Sequence, residues 1–297
     1  MRERTFRSIW ISDIHLGFKD CQAGFLLDFL QHCQCEQLYL VGDVIDFWDL
    51  GKRQRWPAAH SGVLQRLIGL AAEGTRVVYV PGNHDELVRA YAGQFFGGIE
   101  VCNETVHTTA DGRRLLVMHG DGFDTQVRGG RWLELIGDGA YDLLLFLNRW
   151  FNRARRLAGL PYWSLATRLK TGIELAARAI DRFEQAAAQE ARHRELDGII
   201  CGHIHKAEMR EIDGTLYCND GDWVESCTAL VEHLDGRLEI LHWADARQVT
   251  HREPGVVPEP LPLPAAACEA VEPVAGVPAW AMHTASARLG AFAPSRS

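Results

Sequence analysis

The chain has 297 residues, 47% of them hydrophobic, and a formal net charge of −8. Those totals fit one large globular domain or two small ones with a substantial core. The acidic balance excludes a molecule built as a whole to sit on nucleic acid, and no apolar run reaches the about 18 residues of a membrane-spanning helix.

In chain order, Ser8-Ile9-Trp10-Ile11-Ser12 is a buried-strand pattern that runs into Asp13-Ile14-His15-Leu16-Gly17. Phe25-Leu26-Leu27-Asp28-Phe29-Leu30 then places apolar residues on one helical face. A second strand, Gln37-Leu38-Tyr39-Leu40-Val41, ends in Gly42-Asp43. A second helix is predicted around residues 61–73. A third strand over 75–80 ends in Pro81-Gly82-Asn83-His84-Asp85. This β-α-β-α-β alternation gives an α/β fold with parallel strands and right-handed crossovers.

Beyond Ile99 the pattern turns antiparallel. A hairpin over 106–118, turning at Asp111-Gly112, ends in His119-Gly120-Asp121. Residues from about 130 to 195 are helical in character. Ile199-Ile200-Cys201 resumes the sheet and ends in Gly202-His203-Ile204-His205. Two more hairpins turn at Asp213-Gly214 and Asp235-Gly236, and a strand over 238–243 closes the fold. Eight of the eleven prolines lie between Pro254 and Pro294, so residues 246–297 read as a loosely attached tail, with a short helix over 277–292. The eight cysteines form no C-x-x-C pair, and residues 1–5 are polar and lead straight into a strand, so reduced cytosolic thiols are expected.

Apolar strands thus end repeatedly in Asp, His or Asn. In open α/β sheets the ligand site lies beyond the carboxyl ends of the strands. Asp13, His15, Asp43, Asn83, His119, His203 and His205 are therefore the candidate metal ligands. Each also has a plain alternative. Residues 81–85 could be a turn, Gly42-Asp43 a helix cap, and His119 a core histidine. His203 and His205, two apart, would face one side of a strand. Imidazole, carboxylate and carboxamide without thiolate suit two divalent cations such as Mn²⁺, Fe²⁺ or Zn²⁺, and two such ions are the usual solution for displacement at phosphorus.

The ordered set D-x-H, G-D, G-N-H-D, H-G, G-H-x-H resembles the calcineurin-like metallophosphoesterase superfamily over roughly residues 8–243. The resemblance implies two packed mixed β-sheets flanked by helices. It implies Asp13, His15, Asp43 and His205 on one metal. Asp43, Asn83, His119 and His203 would hold the other, with Asp43 bridging. His84 would act as the catalytic acid beside the phosphate, with Asp85 orienting it. Ser12-Asp13-Ile14-His15-Leu16, Gly42-Asp43-Val44-Ile45-Asp46-Phe47-Trp48, His119-Gly120-Asp121 and the long helical insertion further resemble UDP-2,3-diacylglucosamine diphosphatases of lipid A synthesis. Those peripheral membrane enzymes split a lipid-linked pyrophosphate, usually with Mn²⁺. The chain departs from them at His84, where they typically carry arginine.

The insertion, about 130–196, is expected to form a helical lid. Its residues 149–170 hold Arg149, Arg153, Arg155, Arg156, Arg168 and Lys170 with Trp150, Phe151, Tyr162 and Trp163, and no acidic residue. Basic and aromatic residues together describe a surface that meets anionic headgroups. A helical hairpin packed on the core, or a surface that stacks single-stranded bases, would share that composition. Asp124, Arg153, Arg168 and Lys170 are the candidates to hold substrate. The expected partners are a lipid-linked phosphate substrate and an anionic membrane surface, at the inner face of the cell membrane, with no nucleic acid. A phosphodiesterase or phosphatase of another phospholipid or a soluble nucleotide is the alternative. A non-catalytic scaffold would not need seven ligands.

Overall fold

The structure is a computed structural model that describes residues 4–52, 56–124 and 174–246. Strand β1 (Arg4–Ile11), helix α1 (Ala23–His32), β2 (Cys33–Val41), α2 (Phe47–Lys52), α3 (Ala58–Ala72) and β3 (Arg76–Val80) come first. A 3-10 helix (Glu86–Tyr91) and the short strands β4 (Phe95–Phe96) and β5 (Ile99–Val101) follow. Then come β6 (Thr105–Thr108), β7 (Arg114–Val117) and a 3-10 turn (Asp121–Phe123). Helix α4 (Glu174–His193), β8 (Gly198–Cys201), β9 (Glu208–Ile212), β10 (Thr215–Asn219), β11 (Thr228–Glu232), β12 (Leu238–His242) and α5 (Trp243–Ala246) complete the described chain.

The strands form two mixed sheets, β12-β11-β1-β2-β3-β5-β4 and β6-β7-β8-β10-β9. Side-chain alternation builds their layers. In β2, Leu38 and Leu40 pack with α1 and α3 residues such as Phe29, Val63 and Leu67. Tyr39 and Val41 point the other way, into a core shared with Val117, Ile200 and Cys218 of the second sheet. On that sheet's far face, Leu116, Ile199 and Cys201 meet Phe183, Ala187 and Ala191 of α4. Strands buried on both faces read as continuous apolar runs, which is why β1, β2 and β8 stand out in the sequence. The alanines four apart on α4 let its backbone close on the sheet.

The parallel order β1-β2-β3 and the hairpins β6-β7, β9-β10 and β11-β12 agree with the sequence pattern. The antiparallel expectation beyond Ile99 needs correction. Strand β5 runs parallel to β3, and β8 runs parallel to both β7 and β10. The chain between β7 and β8 is long enough for a crossover, which antiparallel hairpin neighbours do not need. Of the expected insertion, α4 is described; residues 149–170, with Arg153, Arg168 and Lys170, lie outside the described residues, as does the tail from 247 onward. Among the described residues no helix is long and apolar enough to cross a membrane.

Candidate metal centre

Each candidate residue sits just past a strand end, and the backbone there is unusual. Asp13, His15, Asp43, His203 and His205 all have left-handed backbones, with φ of 49°, 53°, 52°, 71° and 53°. For side chains other than glycine this costs about 1–2 kcal/mol per residue, and such residues gather at functional sites. The loops are tied to each other: Asp13 N–H donates to the Gly42 carbonyl at 3.0 Å, and His15 N–H donates to the Asp43 carbonyl at 2.8 Å. His203 and His205 therefore reach the site from a loop beyond β8, through two left-handed turns. The strand alternation expected for them is not how they arrive.

Three clusters with ligand atoms within 4.8 Å of one another result: Asp13, His15 and His205; Asp13, Asp43 and His119; and His15, Asp46 and His84. His205 Nε2 lies 3.1 Å from Asp13 Oδ1. His119 Nε2 lies 3.5 Å from Asp43 Oδ2 and 3.2 Å from Asn83 Oδ1. His15 Nε2 is 3.8 Å from Asp43 Oδ2 and 3.9 Å from Asp13 Oδ1. His203 is in none of these clusters: its ring lies 5.1 Å from that of His119, and its Nε2 meets Asp124 at 2.9 Å. Asp124, expected to hold substrate, is thus placed on a candidate ligand.

The outer nitrogens of two rings are occupied. His119 Nδ1 reaches the Val41 carbonyl at 2.8 Å, and His15 Nδ1 reaches Asp46 at 3.0 Å. Such contacts fix the ring and leave Nε2 for the centre, as in most metal-binding histidines. Asp13 Oδ2 is held by Ser12 Oγ at 2.5 Å and by the His203 N–H at 2.9 Å. Ser12 is itself backed by buried Asp220 at 2.6 Å, whose carboxyl burial pushes well up. What remains is instructive: His15 Nε2 is buried with no hydrogen-bond partner, and Asp13 Oδ1 faces only the His205 ring. Buried polar atoms are rarely left so, and a site for a bound ion is one of the explanations. The donor set and these two atoms fit divalent cations.

Small residues make the approach possible. A Cβ on Gly82 would collide with Asp43 Oδ1 and the His119 ring; one on Gly42, whose φ is +88°, would collide with His119 Nδ1. Electrostatics follow the packing. Burial opposes the charges of Asp13, Asp43 and Asp46, yet the neighbouring imidazoles hold all three below the usual carboxylate range. Burial likewise opposes a charged His119, but the Asp43 carboxylate carries it up to about 10.

His84 needs a further correction. Asp85 does not orient it. The Asp85 carboxylate accepts from the N–H groups of Gly82 at 2.6 Å and Val44 at 2.7 Å, and from the Tyr79 hydroxyl. It therefore braces the two loops that carry Asp43 and Asn83. The carboxylate beside His84 is Asp46, with Oδ1 3.1 Å from Nδ1, and the Trp48 ring lies over the imidazole at 4.1 Å. Burial lowers the His84 pKa, but Asp46 and Asp43 raise it further, so the net shift is upward. Sequence reasoning quoted Asp46 and Trp48 within a motif and gave neither a role.

A family model of calcineurin-like phosphoesterases matches residues 6–207, and the chain belongs to that family, whose members are metal-dependent phosphoester hydrolases. Among individual relatives, a UDP-2,3-diacylglucosamine hydrolase of Pectobacterium carotovorum subsp. carotovorum is 25% identical over 210 residues, covering 69% of this chain and 85% of that protein. Proteins of the same name are 26% identical in Photorhabdus laumondii subsp. laumondii, covering 71% and 88%, and 27% identical in Neisseria meningitidis serogroup B, covering 72% and 88%.

Proposed function

We propose that this phosphoesterase hydrolyses a lipid-linked pyrophosphate of the UDP-2,3-diacylglucosamine type at an anionic membrane surface. The observation that supports the reading is the gathering of Asp13, His15, Asp43, His119 and His205 in overlapping clusters, with Asn83 beside His119, in a chain similar to hydrolases of that name. Asp13, His15, Asp43 and His205 would hold one divalent cation, and Asp43, Asn83, His119 and His203 the second, with Mn²⁺ the favoured ion. Such a pair supplies positive charge to the phosphoryl oxygens and acidifies the attacking water.

The chain's own groups do the rest. Asp46 faces Nδ1 of His84 and leaves Nε2 as the nitrogen that gives a proton to the leaving oxygen. Burial opposes a charge on that imidazole, and the Asp46 carboxylate favours it. Trp48 lies against one face of the imidazole. Residues 149–170, by their basic and aromatic composition, would meet the headgroups.

The test offers the Mn²⁺-loaded protein UDP-2,3-diacylglucosamine, glycerophospholipid phosphates and nucleotides in parallel. Release of UMP from the first supports the reading. Turnover of soluble nucleotides alone would replace it with a nucleotide phosphodiesterase, the reading that His84 in place of arginine favours.

A further inference from the structure

Beside the candidate metal centre lies a hollow whose Arg89, Asn103 and Asp121 have no role above. It has a volume of about 270 Å³ and is lined by Pro81, Arg89, Asn103, Met118, His119 and Asp121, among others. His119 forms a wall shared with the candidate metal centre, since its Nε2 is 3.5 Å from Asp43 Oδ2. Pro81 opens the loop that carries Asn83 and His84.

Arg89 is the notable group. It rises from the 3-10 helix after His84, and a single nitrogen, Nη2, donates to both Asp121 oxygens at 2.8 Å and to the Pro81 carbonyl at 3.3 Å. Among the described residues Nε and Nη1 have no hydrogen-bond acceptor. The side chain remains 37% exposed, enough to reach a ligand. Asn103, exposed on the hollow's rim, likewise offers an amide with no partner among the described residues. A guanidinium fixed by a carboxylate and keeping free N–H groups suits phosphate oxygens, which it binds by charge-assisted hydrogen bonds.

We infer that this hollow is a subsite for the second, non-reacting phosphoryl group of a diphosphate, held by Arg89 and Asn103. The inference rests on the proposed pyrophosphate substrate and names which part of it this pocket takes. It gives the chain a cation for the diphosphate five residues after His84. The simplest competing account makes Arg89 a brace between its helix and the Asp121 loop.

The two accounts separate by selectivity. Uridine α,β-methylenediphosphate and UMP are compared as competitive inhibitors of bis(p-nitrophenyl) phosphate hydrolysis by the full-length, Mn²⁺-loaded protein. In the wild type the diphosphate analogue binds more tightly. In Arg89→Met that preference falls by about ten- to a hundredfold, as loss of a charged hydrogen bond requires. Arg89→Lys retains part of it, and Asn103→Ala, a change at an exposed position, loses a smaller part. Equal weakening of both inhibitors in Arg89→Met, or an unchanged preference, overturns the inference in favour of a brace. Failure to turn over UDP-2,3-diacylglucosamine would sink the proposed substrate while leaving this preference to stand or fall by itself.

Discussion

Among the described residues, histidine–carboxylate groups are buried between the sheets and at the strand ends, and the two are finished differently. Between the sheets, Glu232 is fully buried and every oxygen is used. It accepts from Arg7 Nη1 at 2.9 Å, Ser8 Oγ at 2.9 Å and the Ala110 N–H at 2.7 Å, and meets His107 Nε2 at 2.9 Å. The other nitrogen of His107 meets the Tyr39 hydroxyl at 3.0 Å. Its backbone partners are ordinary strands. At the strand ends the same residue types sit on left-handed backbones and leave His15 Nε2 without a hydrogen-bond partner and Asp13 Oδ1 facing only the His205 ring. A closed network stabilises and specifies a fold; an open one, held under strain, is shaped for something that is to be bound.

Substitutions should break the two regions in opposite ways. The largest effect is expected from His84→Ala, which removes the proposed acid: turnover falls by about 10²- to 10⁴-fold. Metal content by atomic emission stays at the wild-type value. Loss of metal instead would move His84 into the ligand set. Next is Asp46→Asn, which keeps its shape but loosens both His15 and His84. Metal affinity and activity should drop by about 10- to 100-fold, the usual cost of removing a carboxylate behind a metal-binding histidine. An unchanged Mn²⁺ affinity would make Asp46 a partner of His84 alone.

The smallest effect on chemistry comes from Glu232→Gln, which leaves the strand-end loops untouched. It should cost about 3 kcal/mol of stability in chemical denaturation, because the half-buried Arg7 loses its fully buried counter-charge, with little change in turnover per folded molecule. Burial raises the Glu232 pKa, but His107, Ser8 and the Ala110 N–H lower it further, to about 2 from an ordinary 4.5. A folded pKa below the unfolded one makes this contribution complete above about pH 4.5. It is lost as pH falls toward 2. The stability gap between wild type and Glu232→Gln should therefore close over that window. A gap independent of pH would show that packing, not charge, holds the two sheets at this point.

Much of this was legible in the sequence for a physical reason. Strands buried on both faces appear as apolar runs, and a parallel sheet sends their carboxyl ends to one edge, so Asp13, Asp43 and Asn83 could be gathered without coordinates. Pairing partners were harder. Residue alternation in β8 says which faces are buried, not that its neighbours β7 and β10 run parallel to it. The roles of Asp85 and Asp46 were hidden because adjacency in sequence is not adjacency in space. After Pro81-Gly82 the chain turns Asp85 inward onto the backbone of Val44, and Asp46 arrives at His84 from another loop. The left-handed backbones of the five strand-end residues have no signature in residue type, since Asp and His tolerate that region without requiring it.

The proposed two-ion centre is most directly tested by Mn²⁺ stoichiometry after equilibrium dialysis, comparing wild type with Asp43→Asn. Two ions per wild-type chain, falling to one or fewer when the carboxylate placed between His15 and His119 is neutralised, is the predicted result. Two ions retained by Asp43→Asn, or a single ion in the wild type, would contradict a dimetal centre bridged by Asp43.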